Sequence, residues 1–161
     1  MAENNQATTA QPGTEEQRLS LKRIYVKDLS FEAPNSPDIF QQQRGPKVDF
    51  NLSTKHSHIK DSYYEVVLKL GADAKLEDKT LFIVEVEQAG IFDIFGIEGE
   101  QLDMILGSTC PSFLFPYARE TLDGLVLKGT FPPLMLDAVN FDVIYAQTVK
   151  DRAAQRGAKP Q

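Results

Sequence analysis

The sequence has a single cysteine, two histidines and more acidic than basic residues, with 23 Asp and Glu against 17 Lys and Arg. One thiol cannot pair within its own chain, which excludes an intramolecular disulfide. Cys110 is therefore expected to be a small buried hydrophobe rather than a nucleophile. The net charge of −6 argues against nucleic acid or an anionic membrane as the main partner, because both favour clustered Lys and Arg. It fits partners that carry positive charge.

Long apolar runs are also missing. No run approaches the roughly 18 residues that a membrane-spanning helix needs. The polar and acidic start MAENNQATTAQPGTEEQ has neither the basic nor the apolar segment of a signal peptide. We therefore expect a soluble, reduced, cytoplasmic protein. Its length of 161 residues predicts one domain at 18–150, between a disordered polar arm at 1–17 and a disordered polar tail at 151–161.

Two helix-like segments within 110–145, joined by the break GTFPP, dominate the second half of the chain. Pro111 and Pro116 suit helix starts, and Gly129 suits a C-terminal stop in the left-handed region. Asp137 is a plausible N-cap of the second segment. The apolar residues at helical spacing are Leu114, Ala118, Leu122, Leu125 and Val126 in the first segment and Val139, Val143 and Ala146 in the second.

Four stretches upstream have the two-residue alternation of β-strands, at 18–34, 47–53, 61–76 and 80–94. Short polar links between them favour an antiparallel sheet. A long Pro- and Gly-containing loop at 33–46 carries Ile39 and Phe40, which either tuck into the core or form an apolar wall beside a groove. His56 and His58 fall in a polar link, where a solvated turn is favoured over a metal site because no third ligand is near.

The catalytic inventory is thin. Gly124 and Gly129 have the spacing of P-loop glycines, but Thr130 and Phe131 stand where Lys and Ser or Thr are required. Two carboxylate pairs, Asp28 with Glu32 and Glu85 with Glu87, each share a strand face. They could form a solvated sheet face, an acid–base or metal site, or an acidic docking surface for a basic partner. The apolar surplus around 82–141 predicts self-association, an exposed groove, or both.

Four motifs then carry a family resemblance. RIYVKDLSFEAPNSPDIF, FIVEVEQAGIF, CPSFLFPYARETL and GTFPPLMLDAVNF resemble the bacterial protein-export chaperone family SecB, over about residues 23–145. The resemblance implies an α+β subunit, with a four-stranded antiparallel sheet and a long helical hairpin-like pair packed on one side. Four subunits would assemble as a dimer of dimers. Without ATP or any cofactor, this homotetramer would hold unfolded precursor proteins in the cytoplasm and deliver them to the SecA translocase motor.

The resemblance also implies roles for individual residues. The SecA motor's basic, zinc-bearing C-terminal segment would dock at Asp28, Glu32, Ile83 and Glu85, with the zinc held by that partner and no metal held by this chain. Val84, Val86 and Gln88 match positions associated with subunit assembly. The client groove would be lined by Phe31, Ile39, Phe40, Phe113, Phe115 and Leu134. Two alternatives stay open: a general stress or toxin–antitoxin-associated chaperone of the same fold, and an oligomeric α+β enzyme that uses the carboxylate pairs.

Overall fold

The computed structural model describes residues 16–158 of the chain. The predicted N-terminal arm lies almost entirely outside this range, as do residues 159–161 of the predicted tail. The strands are β1 (Arg18–Glu32), β2 (Lys47–Lys60), β3 (Tyr63–Leu76) and β4 (Lys79–Phe95). A 3-10 turn at Asp38–Gln41 lies in the long loop. The helices are α1 (Gly99–Met104), α2 (Cys110–Lys128) and α3 (Phe141–Gly157). A π-helical turn (Ile105–Thr109) joins α1 to α2.

The four strands form one antiparallel sheet in the order β1-β4-β3-β2, which confirms the predicted sheet. The long loop carries the chain from one edge of the sheet to the other, because β1 and β2 are the two edge strands. The predicted polar link around His56 and His58 is wrong: β2 continues through both residues to Lys60, opposite the equally long β3. A fully paired neighbour supplies the ladder hydrogen bonds that keep this polar stretch extended.

The sheet has an inner face, towards the helices, and an outer face. Alternate residues of β3 and β4 point inward and form most of the core, including Val66, Leu68 and Leu70 of β3 and Phe82, Val84 and Val86 of β4. In β1 the alternation is interrupted by register shifts between Leu21 and Arg23 and between Val26 and Asp28. These two bulges keep the apolar residues of β1 on the inner face despite their irregular spacing: Leu19, Leu21, Ile24, Val26, Leu29 and Phe31.

Helix α2 covers the inner face of β3 and β4 through a buried stripe with four-residue spacing, which confirms the predicted apolar face. The stripe consists of Cys110, Leu114, Ala118, Leu122 and Val126. Pro116 lies inside α2 rather than at its start, because the helical path already begins at Gly99. Gly129 does follow the last helical residue, but its φ of −78° is not left-handed. The left-handed residue is Thr130, with φ of 62°.

The second helix differs from the prediction. Residues 130–140 form an extended connector, and α3 begins only at Phe141, with Asn140 as its N-cap in place of Asp137. The Asn140 side chain accepts hydrogen bonds from the backbone N–H groups of Asp142 and Val143. The prediction that Val143 lies on the packed apolar side of this helix is wrong, because its side chain is 62% exposed. A short helix can carry apolar residues on more than one side, and its tertiary contacts decide which side is buried.

Helix α3 packs against the π-helical turn rather than lying beside α2 on the sheet, which corrects the predicted hairpin-like pair. The ring of Tyr145 occupies the space where a Cβ atom of Gly107 would stand, 2.6 Å from it. Ser108 Oγ donates a hydrogen bond to the Asp142 carboxylate. The helix also continues to Gly157, into the stretch at 151–161 that the sequence predicts to be a disordered tail. Alanines and a Gln147–Asp151 side-chain hydrogen bond favour its continuation.

Candidate functional site

A first apolar depression of about 480 Å³ opens between the long loop, β2, the start of β4 and the connector. The long loop is fixed over it by the Asn35 side chain, whose Nδ2 donates to the carbonyl of Thr80 at 2.9 Å. The connector is fixed by Asp123 of α2, whose carboxylate accepts the backbone N–H groups of Leu134 at 2.9 Å and Met135 at 3.3 Å. The apolar lining residues are Ile39, Phe40, Val48, Leu81, Phe82, Phe131, Pro132, Pro133 and Leu134.

Four phenylalanine rings form a connected cluster at one side of this depression, and three of them, Phe40, Phe82 and Phe131, line it directly. Phe131 is at its centre, with ring centroids 4.9 Å from Phe82, 5.6 Å from Phe40 and 6.4 Å from Phe31. Phe31 also stacks on Phe82, with centroids 5.9 Å apart. Gly129 makes room for this cluster, because a Cβ atom there would stand 2.3 Å from Phe31 Cζ. Phe82 and Phe131 are buried, so Phe40, which is 51% exposed, is the ring of the cluster most open to solvent.

A second apolar depression of about 380 Å³ continues along β2 towards α3. The two are neighbours, because Val48 and Phe50 are successive inward residues of β2, and Leu134 and Leu136 are two apart on the connector. We call the combined feature the apolar trough. Its second part is lined by Phe50, Leu52, Leu70, Phe115, Leu136, Val139 and Ile144 together with two polar residues.

The predicted groove residues divide into three groups. Phe31, Ile39, Phe40 and Leu134 come together at the first depression. Phe115 lies at the second, almost buried against the ring of Phe141 at 6.0 Å. Phe113 is in neither, because it lies on another side of α2 near Phe92, half exposed.

The sequence left open whether Ile39 and Phe40 of the long loop tuck into the core or form an apolar wall, and each residue does one of the two. Ile39 is 5% exposed and belongs to the core, whereas Phe40 is 51% exposed and forms a wall of the trough. Sequence reasoning left three aromatic trough residues out of the groove: Phe50, Phe82 and Phe131. The sequence contains patterns that could have identified them, since Phe50 and Phe82 are at inward positions of alternating strands and Phe131 precedes two prolines.

The four predicted docking residues share the outer face of the sheet. Glu32 pairs with Ile83 across β1 and β4, while Ser30 pairs with Glu85 and Asp28 with Glu87. Directly opposed residues in an antiparallel pair point to the same side. At this end of the sheet the outer face is therefore acidic and carries the large apolar side chain of Ile83, which is 38% exposed.

Lysines of the neighbouring strands partly neutralise this face. Lys69 Nζ lies 3.0 Å from Glu85 Oε1, and Lys55 Nζ lies 3.8 Å from Glu87 Oε1. The hydrogen bond to Glu85 raises the pKa of Lys69 above its ordinary value, so that lysine stays charged. Glu85 and Glu87 thus lie within salt bridges, beside Asp28 and Glu32 on the same sheet face, an arrangement suited to contact with a basic partner.

The other reactive groups have structural surroundings. Cys110 is fully buried, as predicted, and burial raises the pKa of its thiol to about 12. His58 packs on Tyr64 and its Nε2 lies 2.7 Å from the carbonyl of Asp61. Within residues 16–158, no group of three His, Cys, Asp or Glu side chains is placed to hold a metal ion. In the same range, no helix is long and apolar enough to cross a bilayer.

Val84, Val86 and Gln88, the predicted interface residues, are buried within the single chain under α2. The Gln88 side chain joins two elements: its Nε2 donates to the carbonyl of Tyr25 at 3.1 Å, and its Oε1 accepts from Thr121 Oγ1 at 3.5 Å. Beside them, an apolar strip remains uncovered on β1 and α2. We define this β1–α2 strip by its exposed members, Leu19, Val26, Leu29, Phe113 and Tyr117.

The family model for SecB, preprotein translocase subunit SecB, matches residues 12–152. A relative from Marinobacter nauticus, named protein-export protein SecB, is 56% identical over 153 residues, which cover 93% of this chain and 90% of that protein. A relative of the same name from Hahella chejuensis is 55% identical over 139 residues, covering 86% and 87%.

Among solved structures, a SecB-like chaperone of Mycobacterium tuberculosis in complex with an antitoxin peptide matches with a TM-score of 0.64. It is 20% identical, and the match covers 76% of this chain and 91% of that one. At this identity the likeness concerns the fold. The family model and the relatives at more than half identity show that the chain belongs to the SecB family of protein-export chaperones.

Proposed function

We propose that this protein is an ATP-independent holdase, which binds unfolded precursor proteins in the cytoplasm, keeps them competent for translocation and delivers them to the SecA motor. The observation that carries the proposal is the open apolar trough, with four clustered phenylalanine rings at one end. A folded client hides the apolar segments that such a trough would bind. Binding would therefore select chains that have not yet folded, and no nucleotide is needed for that choice.

The shape of the trough supports clients that bind as extended segments. It runs along the first part of β2, from Val48 to Leu52, and its two depressions could accept apolar side chains several residues apart on one client. Each contact would be weak, but several on one chain raise the effective concentration of the next. Four subunits would multiply this effect along a single long precursor.

The proposed docking of SecA uses the opposite side of the sheet. Asp28, Glu32 and Glu85 supply negative charge, and Ile83 supplies an apolar anchor for the motor's basic C-terminal segment. Because the trough lies on the inner side and the acidic face on the outer side, a client and the motor segment would not compete for the same atoms. This arrangement would allow the motor to bind a chaperone that still holds its client.

The β1–α2 strip supports assembly into a homotetramer, a dimer of dimers. Val26 is 42% exposed, Leu29 46%, Phe113 50% and Tyr117 52%, an unusual density of large apolar side chains for a free surface. A second subunit would cover them. Val84, Val86 and Gln88 would act on assembly indirectly, because they pack beneath the two elements that carry the strip.

The proposal is tested by light scattering of a reduced, slowly folding precursor diluted from denaturant, without nucleotide. We expect suppression of aggregation at about one client for each four subunits. Continued aggregation in the presence of folded, oligomeric protein would reject the holdase proposal and return the carboxylate pairs to the enzyme alternative. The stress or toxin–antitoxin alternative predicts the same suppression without measurable binding of the SecA C-terminal segment, so calorimetry with that segment separates the two.

A further inference from the structure

Strand β1 has two residues more than the matching part of β4, and each of these extra residues is a lysine held by a carboxylate. The register shifts around Lys22 and again around Lys27. Lys22 Nζ lies 3.9 Å from Asp93 Oδ2, and Lys27 Nζ lies 2.6 Å from Glu65 Oε1. A bulge leaves its extra residue outside the regular ladder of hydrogen bonds. The paired lysines are therefore well placed to hold the two bulges.

The bulge at Lys27 decides which face of the sheet receives the residues that follow it. Val26 points to the inner face, and after the bulge Asp28 and Glu32 point to the outer face while Phe31 points inward. Strict alternation from Val26 would exchange these directions, because a one-residue slip moves every side chain to the other face. Both the acidic outer face and the aromatic cluster of the trough thus depend on this single extra residue.

Glu65 reaches the bulge from β3, two strands away from β1. Its Oε1 accepts from Lys27 Nζ and its Oε2 accepts from the hydroxyl of Tyr25. Tyr25 is paired with Ala89 of the intervening β4, and the small alanine side chain leaves room for Tyr25 and Lys27 to cross that strand. Both oxygens of one carboxylate are thereby used on residues that flank Val26.

Glu65 itself is distant from the proposed docking centre. It pairs with Ile91, eight positions along β4 from Ile83, which corresponds to roughly 26 Å at the rise of an extended strand. A short basic segment centred on Ile83 would not need to touch it. Glu65 could still influence docking through β1, since Asp28 follows the bulge directly.

We propose that Glu65 is a positioning residue, which holds the second bulge of β1 through Lys27 and Tyr25 and so keeps Asp28 and Glu32 on the docking face. The inference rests on the proposed docking of the SecA segment and adds a residue that does not contact that segment.

The test is a charge exchange, Lys27→Glu, Glu65→Lys and the double variant, with calorimetry against a synthetic zinc-loaded C-terminal segment of SecA. Each single variant should bind at least about fivefold more weakly, and the double variant should return to within about twofold of the original, because it restores a charge-assisted contact. Net charge cannot mimic this pattern: Lys27→Glu makes the protein more acidic and Glu65→Lys less. Lys22→Ala, at the other bulge, is the matched control and should bind like the original.

Opposite changes in the two single variants, or a double variant as weak as its parents, would overturn the positioning role. Hydrogen exchange provides a readout without the partner: amides at 24–32 should exchange faster in each single variant and return to the original rates in the double variant. Unchanged exchange there in folded single variants would also overturn the role. Failure of the original protein to bind the segment would reject the docking proposal alone, because the exchange result would still decide what Glu65 does.

Discussion

The substitution Gly129→Ala tests the packing of the aromatic cluster at the start of the connector. Backbone strain is not the issue, because φ at Gly129 is −78° and suits any residue. Space is the issue: the added Cβ atom would stand 2.3 Å from Phe31 Cζ and 2.7 Å from Phe31 Cε1. The ring must move, and its stacking on Phe82 and its contact with Phe131 move with it.

We expect Gly129→Ala to lower the free energy of unfolding by about 1–3 kcal/mol, the usual cost of inserting a methyl group into a packed site. The lower end applies if the partly exposed Phe31 ring swings into the trough, in which case client binding weakens as well. Gly124→Ala is the matched control. Gly124 lies within α2 with nothing within 4 Å of an added Cβ atom, so alanine there should stabilise the protein by about 0.5–1 kcal/mol.

The measurement is urea unfolding followed by circular dichroism, at one fixed protomer concentration because assembly contributes to stability. Phe31→Ala combined with Gly129→Ala completes a cycle. If the clash with Phe31 is the cause, the double variant loses less stability than the sum of the single variants. Equal stability of the two glycine variants, or strict additivity with Phe31→Ala, would refute the steric explanation.

Four further outcomes are expected. Glu85→Lys should weaken binding of the SecA segment and leave client binding intact, and equal loss of both in paired assays would contradict separate faces. Asp123→Ala should lower the free energy of unfolding by about 1–3 kcal/mol in urea and weaken client binding, because two connector amides lose their acceptor. Cys110 should react with a thiol reagent at pH 8 only after unfolding, since burial raises the pKa of its thiol to about 12; prompt reaction of the folded protein would contradict this. Hydrogen bonds from Lys27 and Tyr25 lower the pKa of Glu65 in the folded protein. The contribution of this carboxylate to stability is therefore present above its unfolded pKa of about 4.3, and it is lost as the pH falls from there through the folded pKa. Glu65→Gln should accordingly lose less stability on acidification in urea titrations.

The elements that the sequence predicted correctly are those in which local period and tertiary burial agree. The inward residues of β3 alternate strictly, and the buried stripe of α2 repeats every four residues from Cys110 to Val126. Each pattern has one interpretation, because the apolar residues of each element all face the same core. The four-stranded sheet and the long helix follow directly.

The second helix could not be predicted at the same level. Its start depends on the connector, where Asp123 of α2 binds two backbone amides that are eleven and twelve residues away in sequence. Its packing depends on a π-helical turn that brings Gly107 under the ring of Tyr145 and Ser108 to Asp142. Neither contact leaves a periodic signal in the sequence, and Asp137 offered a cap as good as Asn140 by residue type alone.

The candidate site was predictable in its residues more than in its geometry. Alternation alone assigns Asp28 and Glu32 to one face of β1 and Phe31 to the other. It does not say which face is the inner one, because counting from Leu19 puts Phe31 on the inner face and counting from Ile24 puts Phe31 on the outer face. The spacings of two, three, two, three and two residues between inward side chains can be reconciled only by inserting extra residues at Lys22 and Lys27. A bulge is invisible to a two-residue period, yet the bulge at Lys27 decides that Asp28 and Glu32 share the face of Ile83 and Glu85 while Phe31 shares the face of Phe82. The proposed client and motor surfaces therefore both depend on one extra residue, Lys27, in an edge strand.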